Sequence, residues 1–403
     1  MAKKKLLYLA YTLPEYNAAT GDRHATGMLE ELSKDFDIHL AAARCTAPEH
    51  HARHSGYAAR IHVGDLRGTL EALSREGIDF SFVVLERAGL HHLLPVLGMR
   101  FPRAKTVVNA IDIEYRRECG VAAMADKYGV GPDALALLSP TPASTRKLEL
   151  ALYRRADYIV TVSDDDREFL VRDGIPARKI LVCRIPQPLA DAAYDPDGRY
   201  LTFVGYAHHV PNYLSVKAFI DTVFPHLEGY CSSHDLRLAI IGGDCRGRYA
   251  ALRRDRLVEA PGHLDLAEIR ARYYPHTCLS LAPLVAGSGV KGKILEAMAH
   301  RLPVVTTDVG LQGLAQFRDC VIRIDMDDPR GAADAIRRSL EDREGRRELS
   351  KRAARKLVEY GSSGEDLPSL RARLDQIART PASGGPLRDA RRFLQPFWWW
   401  FAR

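Results

Sequence analysis

The sequence predicts an α/β protein built from two doubly wound domains in tandem. Three observations favour this fold class: a length of 403 residues, an alternation of short apolar runs with helix-like segments, and a restart of that alternation near the middle of the chain. A chain of this length exceeds one ordinary core and suits two domains. With 46% hydrophobic and 27% charged residues, the composition is that of a globular protein and excludes a disordered one.

The first half of the chain contains short apolar runs of the kind that form strands covered on both faces. These runs are Leu6–Ala10, Ile38–Ala42, Phe82–Leu85, Thr106–Ile111 and Tyr158–Val162. Helices are predicted between the runs, for example at Ala25–Leu32, whose apolar residues share one face, and at Ser163–Leu170, where Ser163 suits an N-cap. Strands alternating with helices in this way indicate a parallel sheet.

A stretch rich in proline, glycine and aspartate, residues 185–199, predicts a linker, after which the alternation restarts. Strands are predicted at Leu201–Val204, Leu236–Ile241, Cys278–Leu281 and Val304–Thr307, and helices at Asn212–Leu227, Asp265–Tyr273 and Lys291–His300. The predicted domains are residues 1–188 and 198–362, followed by a tail of residues 363–403. Ligands of such folds bind at the carboxyl ends of strands, and two domains of this type predict a cleft between them.

The segment 278–307 reads as strand, glycine-rich loop, helix and strand, and its loop Gly287–Lys293 suits an anion. Its glycines allow close approach of the backbone, the following helix N-terminus offers free N–H groups, and its two lysines add positive charge. Glu296, about one turn into the helix, could accept hydrogen bonds from ribose hydroxyls. The loop matches the Walker A spacing, but Ile294 stands where a Mg²⁺-binding Ser or Thr is required, so that interpretation is rejected. A tight turn with solvated lysines is the simpler alternative to a phosphate site.

The stretch from Ser288 to Ala297, with the strand Leu302–Val305 after it, resembles the donor-binding motif of retaining glycosyltransferases of the GT-B fold, family 4, also called glycosyl transferases group 1. The form Gly-x-Gly-Val-Lys-x-Lys marks a subgroup. The resemblance implies two Rossmann-like domains facing a cleft, with C-terminal helices that cross back. It also implies that amides of residues 289–292 meet the β-phosphate of a nucleotide sugar and that Glu296 meets its ribose. Ser288 replaces the glutamate that usually faces the donor sugar.

Four further stretches resemble the donor domain of that family: Phe203–Gly205 with the loop after it, Leu238–Gly243, Val258–Leu264 and Thr307–Gly313. Tyr206 stands where the common form has an arginine, so the lysines of the glycine-rich loop would neutralise the diphosphate. The implied donor-binding residues are Gly205, His208, Asn212, Gly243, Gly262, Ser288, Gly289, Val290, Lys291, Lys293 and Glu296.

The N-terminal half resembles the family more loosely, and it implies an acceptor side at Gly21, Arg23, Glu86 and Arg87. Asp112 and Glu114 end a predicted central strand and could face the acceptor, while the alternative is that Asp112 caps the following helix. The retaining mechanism implied by the resemblance needs mainly charge stabilisation and positioning, for which Asp112, Glu114 and Lys293 are the catalytic candidates.

No cofactor and no metal are expected. The seven cysteines are dispersed without a CxxC pair, which is typical of reduced cytoplasmic proteins. Adjacent histidine pairs and the run Asp164–Asp166 are better explained as loop residues and as acids in the first turn of a helix.

The composition and the tail suggest where the protein works. Lys and Arg number 58 against 51 Asp and Glu, an excess of +7 that suits phosphate-bearing ligands or an anionic membrane surface. No stretch has transmembrane length. The aromatic segment Phe393–Phe401 beside three arginines predicts a peripheral contact at the inner face of a membrane, or a dimer contact. Nucleic acid is not an expected partner.

The leading hypothesis is a cytoplasmic hexosyl- or related glycosyltransferase that moves a sugar from a nucleotide-diphosphate sugar to a hydroxyl acceptor with retention, in glycan or polysaccharide biosynthesis. Two alternatives stay open: a nucleotide-sugar epimerase of the same fold, and a non-catalytic protein that binds nucleotide sugars.

Overall fold

The computed structural model describes residues 3–15, 20–125, 127–128, 141–243, 247–254, 256–361 and 366–379. The chain forms two compact units. The first contains residues 1–112, 146–185 and 364–403, and the second contains residues 113–145 and 186–363. These units differ from the predicted domain ranges chiefly in residues 113–145, which belong to the second unit.

Thirteen strands are present in the described residues. The strands of the first unit are β1 (Lys4–Thr12), β2 (Phe36–Arg44), β3 (Arg60–Val63), β4 (Phe82–Glu86), β5 (Lys105–Ala110), β6 (Tyr158–Thr161) and β7 (Ile180–Val182). The strands of the second unit are β8 (Tyr200–Val204), β9 (Arg237–Ile241), β10 (Val258–Gly262), β11 (Thr277–Ala282), β12 (Val304–Thr306) and β13 (Val321–Arg323).

The described residues also form fourteen α-helices. Those of the first unit are α1 (Thr20–Leu32), α2 (Pro48–His54), α3 (Leu66–Arg75), α4 (Leu94–Arg100), α6 (Pro142–Arg155, mostly in this unit), α7 (Asp164–Arg172) and α14 (Leu367–Arg379). Those of the second unit are α5 (Glu114–Ala125), α8 (Val210–Ala218), α9 (Glu228–Ser233), α10 (Leu266–Arg272), α11 (Gly292–Ala299), α12 (Pro329–Glu341) and α13 (Arg343–Gly361).

Each unit is built around one parallel sheet. The first sheet has the order β3-β2-β1-β4-β5-β6-β7, and the second has the order β10-β9-β8-β11-β12-β13. Every strand pair in both sheets is parallel. The central strands are largely buried, as the middle residues Leu6–Ala10 of β1 and all six residues of β11 show, because helices cover both faces of each sheet. The predicted doubly wound α/β architecture is confirmed.

Side chains at helix starts explain where several helices begin. Ser163 accepts a hydrogen bond from the Asp166 amide, which confirms it as the N-cap of α7. Asp265 and Glu268 form a reciprocal capping box at the start of α10. The predicted helix Asn212–Leu227 is interrupted instead: α8 ends at Ala218 and is followed by a π-helical turn, Phe219–Val223.

Helix α14 completes the first unit. Its buried residues Leu370, Leu374 and Ile377 join the core formed by α1 and the strands. The Arg371 guanidinium forms ion pairs with Glu31 at 3.0 Å and Asp35 at 3.3 Å. A helix near the C-terminus therefore belongs to the unit formed mainly by the N-terminal residues, which agrees with the prediction that C-terminal helices cross back to the first domain.

Replacing Leu374 by alanine is expected to lower the free energy of unfolding of the first unit by about 2–5 kcal/mol, because the side chain is 1% exposed and leaves a cavity. Exposed Arg373 on the same helix provides the matched control, and its replacement by alanine is expected to change stability by less than about 0.5 kcal/mol. Urea unfolding followed by circular dichroism measures both. Equal losses in the two variants would contradict the packing described for α14.

Among the described helices, none combines the length and the apolar character needed to cross a bilayer. The aromatic segment Phe393–Phe401 lies outside the described residues, so a membrane or dimer contact there stays a prediction.

Candidate functional site

The switch point of the second sheet lies between β8 and β11. On one side of this point the strands run from β8 to β10, and on the other from β11 to β13. Ligands of open parallel sheets bind outside the carboxyl ends of the strands at such a point. Residues 205–209, which follow β8, and residues 283–291, which follow β11, both begin there. The two loops carrying most of the predicted donor-binding residues are therefore neighbours at one sheet edge.

Each of the strands β8, β9 and β10 has a glycine at its end or directly after it, and backbone hydrogen bonds join these strand ends. The Gly205 amide donates to the Ile241 carbonyl at 2.9 Å, and the Gly242 amide donates to the Gly262 carbonyl at 2.9 Å. A Cβ on Gly242 would lie 2.1 Å from the Gly205 carbonyl oxygen. These strand ends therefore approach one another through backbone atoms, and we call Gly205, Gly242 and Gly262 the glycine floor of the site.

Lys293 lies over this floor. Its Nζ donates to Asn212 Oδ1 at 2.5 Å and sits 4.3 Å from the centre of the Phe203 ring. Gly205 makes room for this arrangement, since a Cβ there would lie 2.6 Å from Asn212 Nδ2 and 2.8 Å from Lys293 Nζ. The structure therefore brings Lys293 together with Gly205 and Asn212, which lie about eighty or more positions before it, and all three were predicted to bind the donor.

The environment of Lys293 disfavours its charge. Burial of the ammonium, and secondarily the nearby charge of Lys291, lower the pKa of Lys293 to about 7. No carboxylate within the described residues forms an ion pair with this ammonium. A buried cation of this kind would be stabilised by an anionic ligand.

Lys291 has a different arrangement. Its Nζ donates to the carbonyls of Ser288 at 3.0 Å and Gly289 at 2.6 Å, and the residue is buried. Gly289 has a φ of 62°, which lets its carbonyl turn towards that ammonium. Val290, beside it, is half-buried. Lys291 therefore holds the loop in shape, and its charge also acts on the neighbouring Lys293.

Helix α5 supports the same loop. The Ser288 hydroxyl donates to the Ile113 carbonyl at 3.0 Å, and a Cβ on Gly120 would lie 3.7 Å from the Ala286 Cβ. The predicted sugar-facing position, Ser288, thus has a backbone partner in the residue that precedes this helix. From the sequence, only Glu114 of α5 was a candidate site residue, and the segment was assigned to the first domain, so the contact of this helix with the glycine-rich loop was not predicted.

His209, in the loop after β8, lies in an environment that disfavours its charge. Desolvation by the surrounding protein, followed by the charges of Arg117 and Lys293, lowers the pKa of His209 to about 3, although part of the ring surface is exposed. His209 is therefore neutral near pH 7. Arg117, from α5, is a cation at this site that the sequence did not indicate.

An aromatic row lies beside the glycine floor. The Tyr206 ring stacks on His263 with centroids 5.9 Å apart and an interplanar angle of 18°, and it lies 5.1 Å from the His208 ring. Gly243 fits under Tyr206, because a Cβ there would be 3.0 Å from the ring. Tyr206 occupies the position at which the sequence lacked an expected arginine, and it forms an aromatic surface there.

Glu296 is buried on α11 and already has partners. Its Oε1 accepts a hydrogen bond from Arg270 Nη2 at 2.7 Å, and its Oε2 accepts one from Gln187 Nε2 at 3.1 Å. The His300 ring lies 3.4 Å from the same Oε1. Arg270 and Gln187 were not predicted. A ribose that binds Glu296 must share the carboxylate with them.

The predicted residues of the first unit fall at the carboxyl edge of its own sheet. Glu86 ends β4, Arg87 follows it, and Gly21 lies in the first turn of α1 under the Arg87 guanidinium. Arg23, on the same turn, has its Nη2 3.4 Å from the Thr20 hydroxyl. These four residues lie within one unit.

Asp112 and Glu114 do not share a unit. The first unit includes Asp112, while Glu114 begins α5 in the second. Because α5 begins at Glu114, Asp112 precedes the helix by two residues. The catalytic role of the two acids stays a prediction.

Within the described residues, no group of three or more His, Cys, Asp or Glu side chains could hold a metal ion. Metal independence stays a prediction. Six of the seven cysteines fall within the described residues and all six are free thiols.

Residues 198–342 match the family model described as Glycosyl transferases group 1. The matched range contains β8 to β13 and both loops of the candidate site. No curated protein matches the sequence.

Solved structures share the fold over nearly the whole chain. Sucrose-phosphate synthase from Thermosynechococcus elongatus is 16% identical with a TM-score of 0.63, covering 93% of this chain and 98% of its own. The Anabaena protein HepE in complex with UDP-glucose is 11% identical with a TM-score of 0.65, covering 93% and 98%. A glycosyltransferase from Rickettsia africae is 11% identical with a TM-score of 0.62, covering 94% and 98%. The GT-B fold predicted from the sequence is thereby confirmed.

Proposed function

We propose that the protein is a retaining glycosyltransferase that moves a sugar from a nucleotide-diphosphate sugar to a hydroxyl acceptor, in the assembly of a glycan or polysaccharide. One observation carries the proposal: the Lys293 ammonium lies over a glycine floor at a sheet switch point, inside the range that matches the Glycosyl transferases group 1 family. Retention rests on the resemblance of the stretch from Ser288 to Ala297 to the retaining members of that family.

The diphosphate of the donor lies against the N-terminus of α11 in this proposal. Free amides at that helix end and the Lys293 ammonium stabilise the phosphate charge, which grows as the bond to the sugar breaks. Lys291 keeps the loop amides in position through its bonds to two loop carbonyls. Glu296 accepts from the ribose hydroxyls, and the row formed by Tyr206 and His263 offers an aromatic face near the base.

The neighbouring structures guide the choice of donor. HepE was solved with UDP, with UDP and glucose, and with UDP-glucose. A donor panel therefore begins with UDP-sugars and extends to GDP- and ADP-sugars. Release of nucleoside diphosphate, measured with and without glycoside acceptors, tests the proposal.

Each outcome of that assay has a clear meaning. Acceptor-dependent release supports the transferase. Conversion of the donor to an epimer, seen by NMR without any acceptor, would support an epimerase of the same fold. Tight donor binding with no turnover on any acceptor would leave a non-catalytic nucleotide-sugar-binding protein and overturn the proposal.

Donor binding is expected to depend on pH through Lys293. The free protein has a pKa of about 7 at this lysine, and a bound diphosphate stabilises the ammonium, so binding above pH 7 takes up a proton. The dissociation constant of the donor should therefore rise with pH above 7, by up to about tenfold per pH unit.

Calorimetry in two buffers of different ionisation enthalpy measures this proton uptake. An intact UDP-sugar is the appropriate ligand, because both of its phosphates are esterified and neither titrates near neutral pH. Lys293→Arg keeps the charge at all pH values and should flatten the profile. A flat profile for the unmodified protein between pH 6.5 and 9 would contradict the assignment of Lys293 to the diphosphate.

A further inference from the structure

A groove lies beside helix α13 of the second unit, near the end of α11 that is opposite to the glycine-rich loop. Its volume of about 480 Å³ is that of a site for a small organic ligand. The α13 residues that line it are Glu348, Lys351, Ala354, Arg355 and Val358. Their spacing places them on one face of the helix. Leu189 and Arg301 complete the lining, and the donor site uses none of these residues.

The groove combines apolar side chains with cations. Leu189, Ala354 and Val358 supply apolar surface, and the Val358 side chain is 55% exposed although it is a large hydrophobic residue. Arg301 and Arg355 supply two guanidinium groups. Neither guanidinium forms an ion pair or a hydrogen bond with another residue in the part of the chain that the structure describes. Both are therefore available to a ligand.

Arg301 occupies a backbone position that favours glycine. Its φ is 59°, and it is the left-handed residue that closes α11. The Arg301 amide donates to the Met298 carbonyl and the Leu302 amide donates to the Ala297 carbonyl, both at 2.9 Å. Glycine adopts this conformation without the strain that a Cβ causes. The chain thus places a guanidinium at the groove where the fold alone would favour glycine.

The charges of the groove select the ligand class. Its cations are Arg301, Lys351 and Arg355. The acid that lines it, Glu348, forms an ion pair with Lys351 at 2.6 Å, so the two guanidinium groups remain without a counter-charge. Guanidinium groups bind phosphate oxygens through parallel N–H donors, and a phosphate dianion balances two of them. A phosphate monoester with an apolar organic part therefore matches both the cations and the apolar lining.

A flat anionic membrane matches this face less well than a small molecule does. Glu344 and Glu359 are exposed on α13 outside the groove. A bilayer lying along the helix would bring its anionic headgroups near these carboxylates, which repel them, whereas a ligand held inside the groove would avoid them. The observations favour a free small molecule.

The groove adjoins two partners of the Glu296 carboxylate. Leu189 lies two residues after Gln187, whose Nε2 donates to Glu296 at 3.1 Å. Arg301 directly follows His300, whose Nδ1 lies 3.4 Å from the same carboxylate. A ligand that contacts Leu189 and Arg301 therefore restrains the two segments that surround Glu296.

We propose that this groove binds a phosphate monoester with an apolar organic part, and that the bound ligand strengthens donor binding. Binding in the groove rests on the groove alone, while the effect on the donor rests on the proposed function, through Glu296. The ligand orders the segments around Glu296 before the donor arrives, so the donor loses less conformational entropy when it binds.

The test uses hexyl phosphate, which joins a phosphate to a short apolar chain. In isothermal titration, Arg301→Gly is expected to bind it at least about tenfold more weakly than the unmodified protein, because a charge-assisted contact is lost. Glycine suits the φ of this position, so the variant should fold. Arg352→Gln is the matched control. It removes one charge from α13 outside the groove, where the guanidinium donates to the Asp319 carbonyl at 2.9 Å, and it should bind hexyl phosphate like the unmodified protein.

Two further probes identify the source of the phosphate. Inorganic phosphate is expected to bind at least about tenfold more weakly than hexyl phosphate, since it buries no methylene groups. Equal affinities for the two, or equal losses in Arg301→Gly and Arg352→Gln, would overturn the proposal and leave a basic surface. Flotation with phosphatidic acid vesicles that depends on Arg301, without binding of hexyl phosphate, would overturn it in favour of a membrane.

Lys293→Met separates the groove from the donor site. Hexyl phosphate should bind this variant as it binds the unmodified protein, whereas a loss in Lys293→Met and none in Arg301→Gly would place the phosphate at the donor site and overturn the proposal. Saturating hexyl phosphate is expected to tighten binding of UDP-glucose by about fivefold, and to have no such effect in Arg301→Gly. An unchanged donor affinity would overturn the effect on the donor. If no nucleotide sugar binds, the proposed function fails and that effect fails with it, while the titrations with hexyl phosphate still decide the groove.

Discussion

Replacing Lys293 by methionine is expected to weaken binding of the nucleotide sugar by about 100-fold, the largest functional effect of any single change considered. The ammonium lies at the glycine floor, 2.8 Å from the place of a Cβ on Gly205, and truncation of one partner of a buried charge pair costs about 2–5 kcal/mol of binding free energy. Methionine keeps the length of the side chain and its contact with the Phe203 ring, so the fold should persist. Because methionine carries no charge, removing a buried ammonium should leave stability unchanged or higher.

Lys217→Met provides the matched control. Lys217 lies on α8, the helix that follows the loop after β8, and it forms an ion pair with Asp221 at the surface. Isothermal titration with a UDP-sugar, together with thermal unfolding, separates affinity from stability. If both variants bind the donor as tightly as the unmodified protein, the diphosphate does not lie where Lys293 is.

Gly242→Ala is expected to have the largest effect on folding, lowering the stability of the second unit by about 3 kcal/mol or more. The new methyl group would lie 2.1 Å from the Gly205 carbonyl oxygen, and that contact is backbone, which cannot rotate away as a side chain can. The φ of 156° adds strain for any residue with a Cβ. The affinity for the donor should fall as well, because the new methyl group forces apart the ends of β8 and β9, which form the floor of the site.

Gly229→Ala is the control for that change. Gly229 lies in α9, and a Cβ there would meet no atom within 4 Å. Alanine in a helix is more favourable than glycine by about 1 kcal/mol, so this variant should be neutral or more stable. Melting temperatures of the two variants measure the difference. Equal temperatures would show that the strand ends are not in contact.

The sequence predicted the central strands of both sheets and missed the outer ones. β1, β4 and β11 each contain a run of largely apolar residues because helices cover both of their faces. The missed strands β3, β7 and β13, and β10, which was interpreted only as a base-contacting stretch, are the four sheet edges. Edge strands are short and partly exposed, as β3 shows with two exposed and two half-buried residues, so they lack an apolar signal.

The sequence predicted which loop forms the candidate site, but it did not predict most of the contacts that the side chains make there. Glycines and lysines in Gly287–Lys293 indicate phosphate chemistry wherever the loop folds. Which lysine faces a ligand depends on Asn212 and Phe203, and these residues lie about eighty or more positions away. Likewise the partners of Glu296 come from a different helix and from residue 187. No local pattern reports such long-range pairings.

The division of the chain into units has a consequence for its synthesis. The chain passes from one unit to the other four times, after Asp112, Thr145, Ile185 and Ser363. The last strand of the first sheet is complete once residue 182 has been added to the chain, but the helix that packs on α1 begins only at Leu367. During translation, the apolar face of α1 that packs against α14 therefore stays uncovered until the whole second sheet has been synthesised. A nascent chain arrested before Leu367 should be a chaperone client, and no single cut in the gene yields two complete folding units.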